Sequence, residues 1–468
     1  MRVLLSVLLL AHALSPGLTA QKTGPRTEPR EGGVYAVVAE VDRTAALAPL
    51  WDGFDPRRVP VAIFDGTTTF LFRHPNPPPE FVSLSSRRGV YAFPGRHESV
   101  TANARAELNG VWTATAMITP DAKRPLREQA ALVVHEAFHV FQRERHPDWS
   151  GDELELFVYP FEDAEGLSLR RLESLALARA EDPRPRAASA CWAEAAVKLR
   201  RERFARLSAG AVGYERGTEL NEGLASYVEA RAAGRATRSR LSADEFAAEA
   251  IRQRAYESGL SLALLLDRFA PGWQRRLEAG DKRALDELLE ASLSNSSAAT
   301  APAANSRAAR PTAPCEFTTT EREAALGRAR TETASLIARR EAARRDYLAQ
   351  PGWRLVVEAG GGAPLFPQCF DPLNVSRVGA SEILHTRFLK LGNAAGSIEI
   401  LSRGSLTEGA GQHPLFNGVR RLTVAGLPSE PAVATEGARL SIDAQGLKGE
   451  FRGAVVSRAE RTLTVRLP

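Results

Sequence analysis

A chain of 468 residues with 61 basic and 56 acidic side chains carries a formal charge of +5, too small and too evenly interleaved along helices for a nucleic-acid-binding stripe. The length predicts two to four domains with material for more than one core. Three cysteines, Cys191, Cys315 and Cys369, have no metal-type spacing and allow one disulfide with one thiol left over; Cys315 with Cys369 is a candidate pair, and the sequence leaves the pairing open.

Residues 1–20 join Arg2 to an apolar run ending at Leu14, then Pro16, Gly17 and the small Thr19 and Ala20, the pattern of a secretory signal peptide. The run is too short to span a bilayer and no later stretch is long and apolar enough. The expected protein is secreted or periplasmic, with no stable membrane anchor. Residues 21–32, polar and rich in Pro, Gly and Arg, read as a disordered leader.

From Gly33 to Thr119 the chain shows short β-prone runs broken by turn residues, at 34–41, 60–64, 67–72, 89–93 and 110–118. They predict a β-rich part over 33–124, in one unit with the helical stretch that follows. The run Val111-Trp112-Thr113-Ala114-Thr115 is a candidate edge strand that would hold an extended ligand by main-chain hydrogen bonds, with an interior position as the alternative. His74 and His97 fall in Pro- and Gly-rich loops and read as surface residues.

Apolar residues at helical spacing from Leu126 to Arg145, with Pro125 at the start, predict one buried helix. It carries His135-Glu136-Ala137-Phe138-His139. Two histidines four apart on a helix aim their imidazoles the same way, and the glutamate between them lies beside whatever they hold, as a zinc-activated water requires. The positions that complete a metzincin site hold Gln142 and Arg145, which excludes that class; His146 is expected at the helix end. The third ligand must come from the predominantly helical stretch that follows, where Glu162, Glu173 and Glu222 are candidates.

The stretch Glu219-Leu220-Asn221-Glu222-Gly223-Leu224-Ala225-Ser226-Tyr227-Val228-Glu229 resembles the second motif of the gluzincins, in particular their aminopeptidase N-like branch. That resemblance implies Glu222 as the third zinc ligand. On a helix, Ser226 and Glu229 would share its face and support the metal shell. Tyr256-Glu257-Ser258-Gly259, opening a further helix, is similar to the family sequence whose tyrosine donates to the oxyanion, which implies Tyr256 in that role; Tyr214-Glu215-Arg216-Gly217 repeats the short pattern on the other side of Glu222. The resemblance covers roughly residues 125–273. The family's substrate motif is not reproduced, although Glu107 and Asn109 lie in its region, and the longer segment between His139 and Glu222 is expected to be folded and able to cover the site.

Residues 292–318, dense in Ser, Ala and Pro, predict a linker, and 319–349 a long charged helix, either spacer or strut. Short strands and turns from 350 to 468 predict an all-β, sandwich-like domain, in which His385 and His413 are isolated. The expected whole is α+β and multidomain: an N-terminal β-rich sheet, a mainly helical zincin catalytic domain over 125–291, the long helix and the β domain. The expected function is a zinc metallopeptidase with one Zn2+ per chain, ligands His135, His139 and Glu222, catalytic Glu136 and Tyr256, and a peptide or protein substrate. The alternatives are an exported binding or assembly protein with an idle or structural site, or a zinc hydrolase of non-peptide substrates.

Overall fold

A computed structural model describes residues 33–118, 124–182, 185–234, 238–243, 246–299, 315–360, 363–411 and 413–468; the expected signal peptide and leader, and 300–314 of the expected linker, lie outside them. The architecture is α+β. It opens with a helix, α1 (Val34–Leu47), where a strand was expected at 34–41. Val34, Val37, Val38, Val41 and Thr44 are buried, and steps of three and four place them on one face only in a helix. Local β-branched preference yields to that packing: Tyr35 meets the rings of Phe70 and Phe72 edge-on, at 5.7 and 5.8 Å.

Six strands follow, β1 (Val61–Phe64), β2 (Thr68–Phe72), β3 (Val82–Ser83), β4 (Val90–Pro94), β5 (Ala104–Leu108) and β6 (Val111–Met117). They form one sheet in the order β3-β4-β2-β1-β6-β5, antiparallel except for the parallel pair β1 and β6. The strand at 111–115 is therefore interior, and β5 is the edge. The physical cause is the Asn109-Gly110 turn, with φ of 44° and 79°, which folds β5 back along the outer side of β6 as a tight hairpin. His74 and His97 are buried rather than at the surface. Each Nδ1 accepts the backbone N–H two residues on, from Asn76 and Ser99 at 3.2 Å, while Nε2 meets the Leu108 carbonyl at 3.1 Å or Glu80 Oε1 at 2.9 Å. The rings close the loops that contain them.

Helix α2 (Leu126–Arg145) has the bounds that its periodicity predicts and packs under β5 and β6. Next come the hairpin of α3 (Ala164–Glu181) and α4 (Arg186–Phe204), then α5 (Ala209–Thr218), a single π-helical turn (Glu219–Gly223) and α6 (Leu224–Ala233). Helices α7 (Ile251–Phe269), α8 (Trp273–Glu278) and α9 (Leu285–Ala299) complete this part; residues 292–299, expected as linker, continue α9. Trp51 lies edge-on to Phe138, Tyr227 and Trp273 at 5.4, 6.3 and 5.3 Å, tying α2, α6 and α8 into one core by a ring geometry worth about 0.5–1.5 kcal/mol per pair beyond burial.

Helix α10 (Thr319–Leu348) starts at a Thr318/Glu321 capping box. It buries Ala325, Ala329, Thr333 and Leu336, a narrow stripe against α3, and Arg179 donates to Glu321 at 2.7 Å. It is a packed strut. Beyond it, residues 353–466 form two sheets of seven and six strands, whose side chains, Val357, Leu422 and Leu463 from one and Leu391, Ile400 and Phe451 from the other, share one core. The run expected as one strand at 449–456 breaks at Gly453, φ 68°, into Leu447–Arg452 and Val455–Ala459. His385 is fully buried there against Thr407 Oγ1 at 3.2 Å.

Cys191 on α4 and Cys315 before α10 form the disulfide, and Cys369 is free and exposed. The pair Cys315 and Cys369 is not made, because Cys369 sits on the strand Phe366–Phe370 of the second of these sheets. The bridge closes a span of 124 residues. Urea unfolding should show Cys191→Ser destabilised by about 2–4 kcal/mol, with Cys369→Ser unchanged; equal curves for Cys191→Ser and wild type would contradict the bridge.

Candidate metal centre

The centre is built on the inner face of α2. His135 and His139 are one helical turn apart and buried, and their Nε2 atoms stand 3.1 Å from each other. The third group arrives from the π-helical turn, which places Glu222 Oε2 at 3.2 Å from His139 Nε2 and 3.8 Å from His135 Nε2. Among the described residues, these three are the His, Cys, Asp or Glu side chains that come together with metal-ligand geometry. A tetrahedral ion with bonds of about 2.0–2.1 Å sets its ligand atoms about 3.3 Å apart, so the spacing fits.

Hydrogen bonds at the far side of each ring fix which nitrogen faces the centre. His135 Nδ1 donates to Glu229 Oε2 at 3.0 Å. His139 Nδ1 donates to Gln142 Oε1 at 2.8 Å and Asn221 Oδ1 at 3.1 Å. Gln142 is itself oriented, because its Nε2 donates to the Leu220 and Asn221 carbonyls at 3.0 and 2.8 Å. In neutral rings both Nε2 atoms are then lone-pair acceptors, facing each other and a carboxylate. Three acceptors pointed at one spot call for a cation.

The pKa shifts follow from this convergence. Burial alone lowers the pKa of His135, but its contacts with Glu222 and Glu229 and the charge of Glu136 outweigh burial and raise it to about 10. Burial works against the Glu222 carboxylate, yet the two imidazoles hold its pKa well below the ordinary range. Glu136, buried beside them, is pushed up by burial, against the opposing pull of both histidines. Arg252 Nη2 donates to Glu222 Oε1 at 3.0 Å, which leaves Oε2 for the imidazoles.

Helix α7 brings the remaining groups. Arg252, Tyr256 and Gly259, spaced four and three, share the face toward the π-helical turn. The Tyr256 ring lies nearly parallel to that of His135, 13° between planes at a centroid distance of 6.4 Å. Burial first, then the charge of Glu222, raises its pKa well above that of a free phenol, so the hydroxyl stays protonated. The approach depends on two glycines: a Cβ on Gly259 would lie 2.6 Å from Gly223 Cα and 2.8 Å from the Glu219 carbonyl oxygen. Backbone meets backbone where the two helices cross.

No protein-family model, curated protein or solved structure matches this chain. What the site can do therefore rests on its own geometry. A cleft of ≈ 1090 Å³ opens onto the three convergent groups and is also lined by Glu136, Tyr256 and Ser226. Residues Asn103, Ala104 and Arg105, at and before the start of β5, form another wall. The rival third ligands lie elsewhere: Glu162 pairs with Arg340, and Glu173 is enclosed by Arg200, Arg203 and Arg254. The hydroxyl of Tyr214 donates to Glu153 Oε2 at 3.4 Å, and Tyr214 is not among the residues that line the cleft. His146 caps α2 and stacks on Trp149 at 3.7 Å. The segment between His139 and Glu222 is folded and long enough to cover the site, yet none of its described residues lines the cleft. Helices α3 and α4 pack behind instead, where Arg200 donates to Glu219 at 2.8 Å and braces the π-helical turn.

Sequence reasoning missed Arg252, Gln142 as a brace, and Arg105. Arg252 was open to detection, one helical turn before Tyr256. Gln142 was not, since its partners are main-chain carbonyls of a turn that no local pattern announces.

Two outcomes follow from the geometry. Since the metal-free site keeps a proton on His135, uptake of a divalent ion such as zinc near neutral pH should release one proton, and apparent affinity should rise about tenfold per pH unit; calorimetry in buffers of different ionisation heat reads both, and a flat affinity between about pH 6 and pH 8 would contradict it. In Gly259→Ala the helices must part, so chelator competition should show metal affinity down by about 10–100-fold.

Proposed function

We propose that this chain is an exported zinc peptidase of gluzincin type. The observation that carries the reading is the convergence of His135, His139 and Glu222 at the floor of an open cleft shared with Glu136 and Tyr256. Two imidazoles and one carboxylate, with a side left open, suit zinc at a catalytic rather than a structural site. When bound, zinc supplies Lewis acidity there, making a water more acidic and polarising a carbonyl. The helices and the sheet over residues 33–299 would constitute the zincin unit, with the two-sheet region as an accessory.

Each residue then has a physical task. Glu136, its proton affinity raised by burial, takes a proton from the attacking water and delivers it to the departing amine. Tyr256, a neutral donor at the cleft wall, hydrogen-bonds the oxygen on which charge grows as the amide carbon becomes tetrahedral. Glu229 holds the His135 ring in one tautomer, and Arg252 fixes the rotation of the Glu222 carboxylate. Among the described residues no strand pairs with the outer edge of β5, the place where an extended peptide would add to the sheet.

Two further observations support the reading. The openness of the cleft favours turnover over a structural ion, since a substrate has a way in. The Cys191–Cys315 bridge favours an oxidising compartment, in keeping with the signal-like residues 1–20.

Elemental analysis and peptide cleavage test the proposal together. Wild type should contain one zinc per chain; Glu136→Gln should retain the metal while turnover falls by at least about a hundredfold, and Glu222→Ala should lose most of the metal. Cleavage that survives Glu136→Gln in a pure sample would overturn the mechanism, and a chain that never takes up zinc would overturn the function.

A further inference from the structure

Among the described residues five arginines line the cleft, and four of them differ from the fifth in place or partner. Arg252 is held by Glu222, Arg240 by Glu257 at 2.8 Å, and Arg238 by Asp182. Arg124 is exposed at the start of α2. Arg105 is half-buried, and among the described residues no side chain or carbonyl accepts a hydrogen bond from its guanidinium or forms an ion pair with it. A guanidinium carries five N–H donors in a fixed fork, and leaving them unmatched in a half-buried place costs free energy unless a ligand completes them.

Its position on β5 makes that ligand specific. Arg105 lies opposite Ala114, and Ala114 belongs to the core between the sheet and α2, so the Arg105 side chain leaves the sheet on the α2 side, toward the metal-binding residues. Burial makes its charged form less favourable and Arg143 adds repulsion, while Glu222 and Glu136 are the anions close enough to offset them. Both of those have other duties: Glu222 toward the cation, Glu136 toward a proton. An extended chain added along the free edge of β5 would present a side chain or its terminus at this guanidinium.

Resting on the peptidase reading, we propose that Arg105 is a specificity residue that binds a carboxylate of the substrate, next to the bond that is cut. The carboxylate is that of an Asp or Glu side chain or of a free C-terminus. Arginine suits it because the fork matches both oxygens at once.

The test is peptide binding to zinc-loaded Glu136→Gln protein, which removes turnover from the measurement. Hexapeptides carrying Glu or Gln in turn at each position, each with a C-terminal acid or amide, report Kd by calorimetry. At one position Glu should bind about 10–100-fold tighter than Gln, or acid tighter than amide, the range for a hydrogen-bonded charge. Arg105→Gln should abolish that preference while leaving the uncharged peptides unchanged, and Arg105→Glu should reverse it. Because the readout is a ratio within one protein, partial misfolding does not imitate the effect. Preference for Glu at an internal position identifies an acidic side chain, and preference for the acid over the amide identifies the terminus. Equal Kd values across all pairs, a preference that persists in Arg105→Gln, or no binding of any peptide would overturn the proposal. If wild type cleaves no peptide while the preference and its loss in Arg105→Gln are observed, the peptidase reading falls and the carboxylate site stands.

Discussion

The constraint on which this structure turns is the meeting of three electron-pair acceptors in one buried spot. Imidazole nitrogens and a carboxylate do not gather there of their own accord; each is held from behind. His135 leans on Glu229, His139 on Gln142 and Asn221, and Glu222 on Arg252. The braces belong to three separate pieces of chain, α2, the π-helical turn with α6, and α7. Their mutual packing is thus part of the site. The wide π turn sets Glu222 toward α2, and the glycine crossing allows α7 to come close enough for Tyr256 to face the same spot.

Beneath the site lies a second organisation that an apolar core does not explain. Glu173, Glu215 and Glu219 are buried among Arg200, Arg203 and Arg254, with Glu173 accepting from all three arginines at 2.8 to 2.9 Å. Such pairs carry a desolvation cost that offsets much of their attraction, so their value here is geometric. A charge network of this kind tolerates one arrangement, because any shift leaves a buried ion unmatched. It joins α3, α4, α5 and α7 to the turn bearing Glu222, which explains why the long segment between His139 and Glu222 packs behind the centre.

Much of this was legible in the chain. The bounds of α2 and the pairing of His135 with His139 follow from spacings of three and four on a helix, and Glu229 from a spacing of seven that puts it on the face of Glu222, whereas Glu222 and Tyr256 were singled out by the resemblance of two short motifs, which spacing alone does not supply. The strand expected at 34–41 failed because β-branched residues report local preference, whereas their burial pattern reports the partner they pack on. Whether 111–115 would be an edge or an interior strand stayed open in the sequence, since sheet order depends on which strand a hairpin adds last. His74 and His97 looked exposed because loop composition says nothing of a ring turned inward to cap its own turn. Arg105 was invisible for the opposite reason: what marks it is the partner it lacks, and a sequence shows residues, not vacancies in their contacts.

The disulfide has a consequence outside energetics. Cys191 lies in the helices behind the candidate metal centre, and Cys315 stands just ahead of the strut that leads to the two-sheet region. Every peptide bond between them is bypassed by a covalent link. A single proteolytic cut anywhere in that span would produce a two-chain molecule of unchanged mass apart from one added water. The two chains would stay covalently joined until a reductant breaks the bridge, so a nicked molecule still travels as one particle.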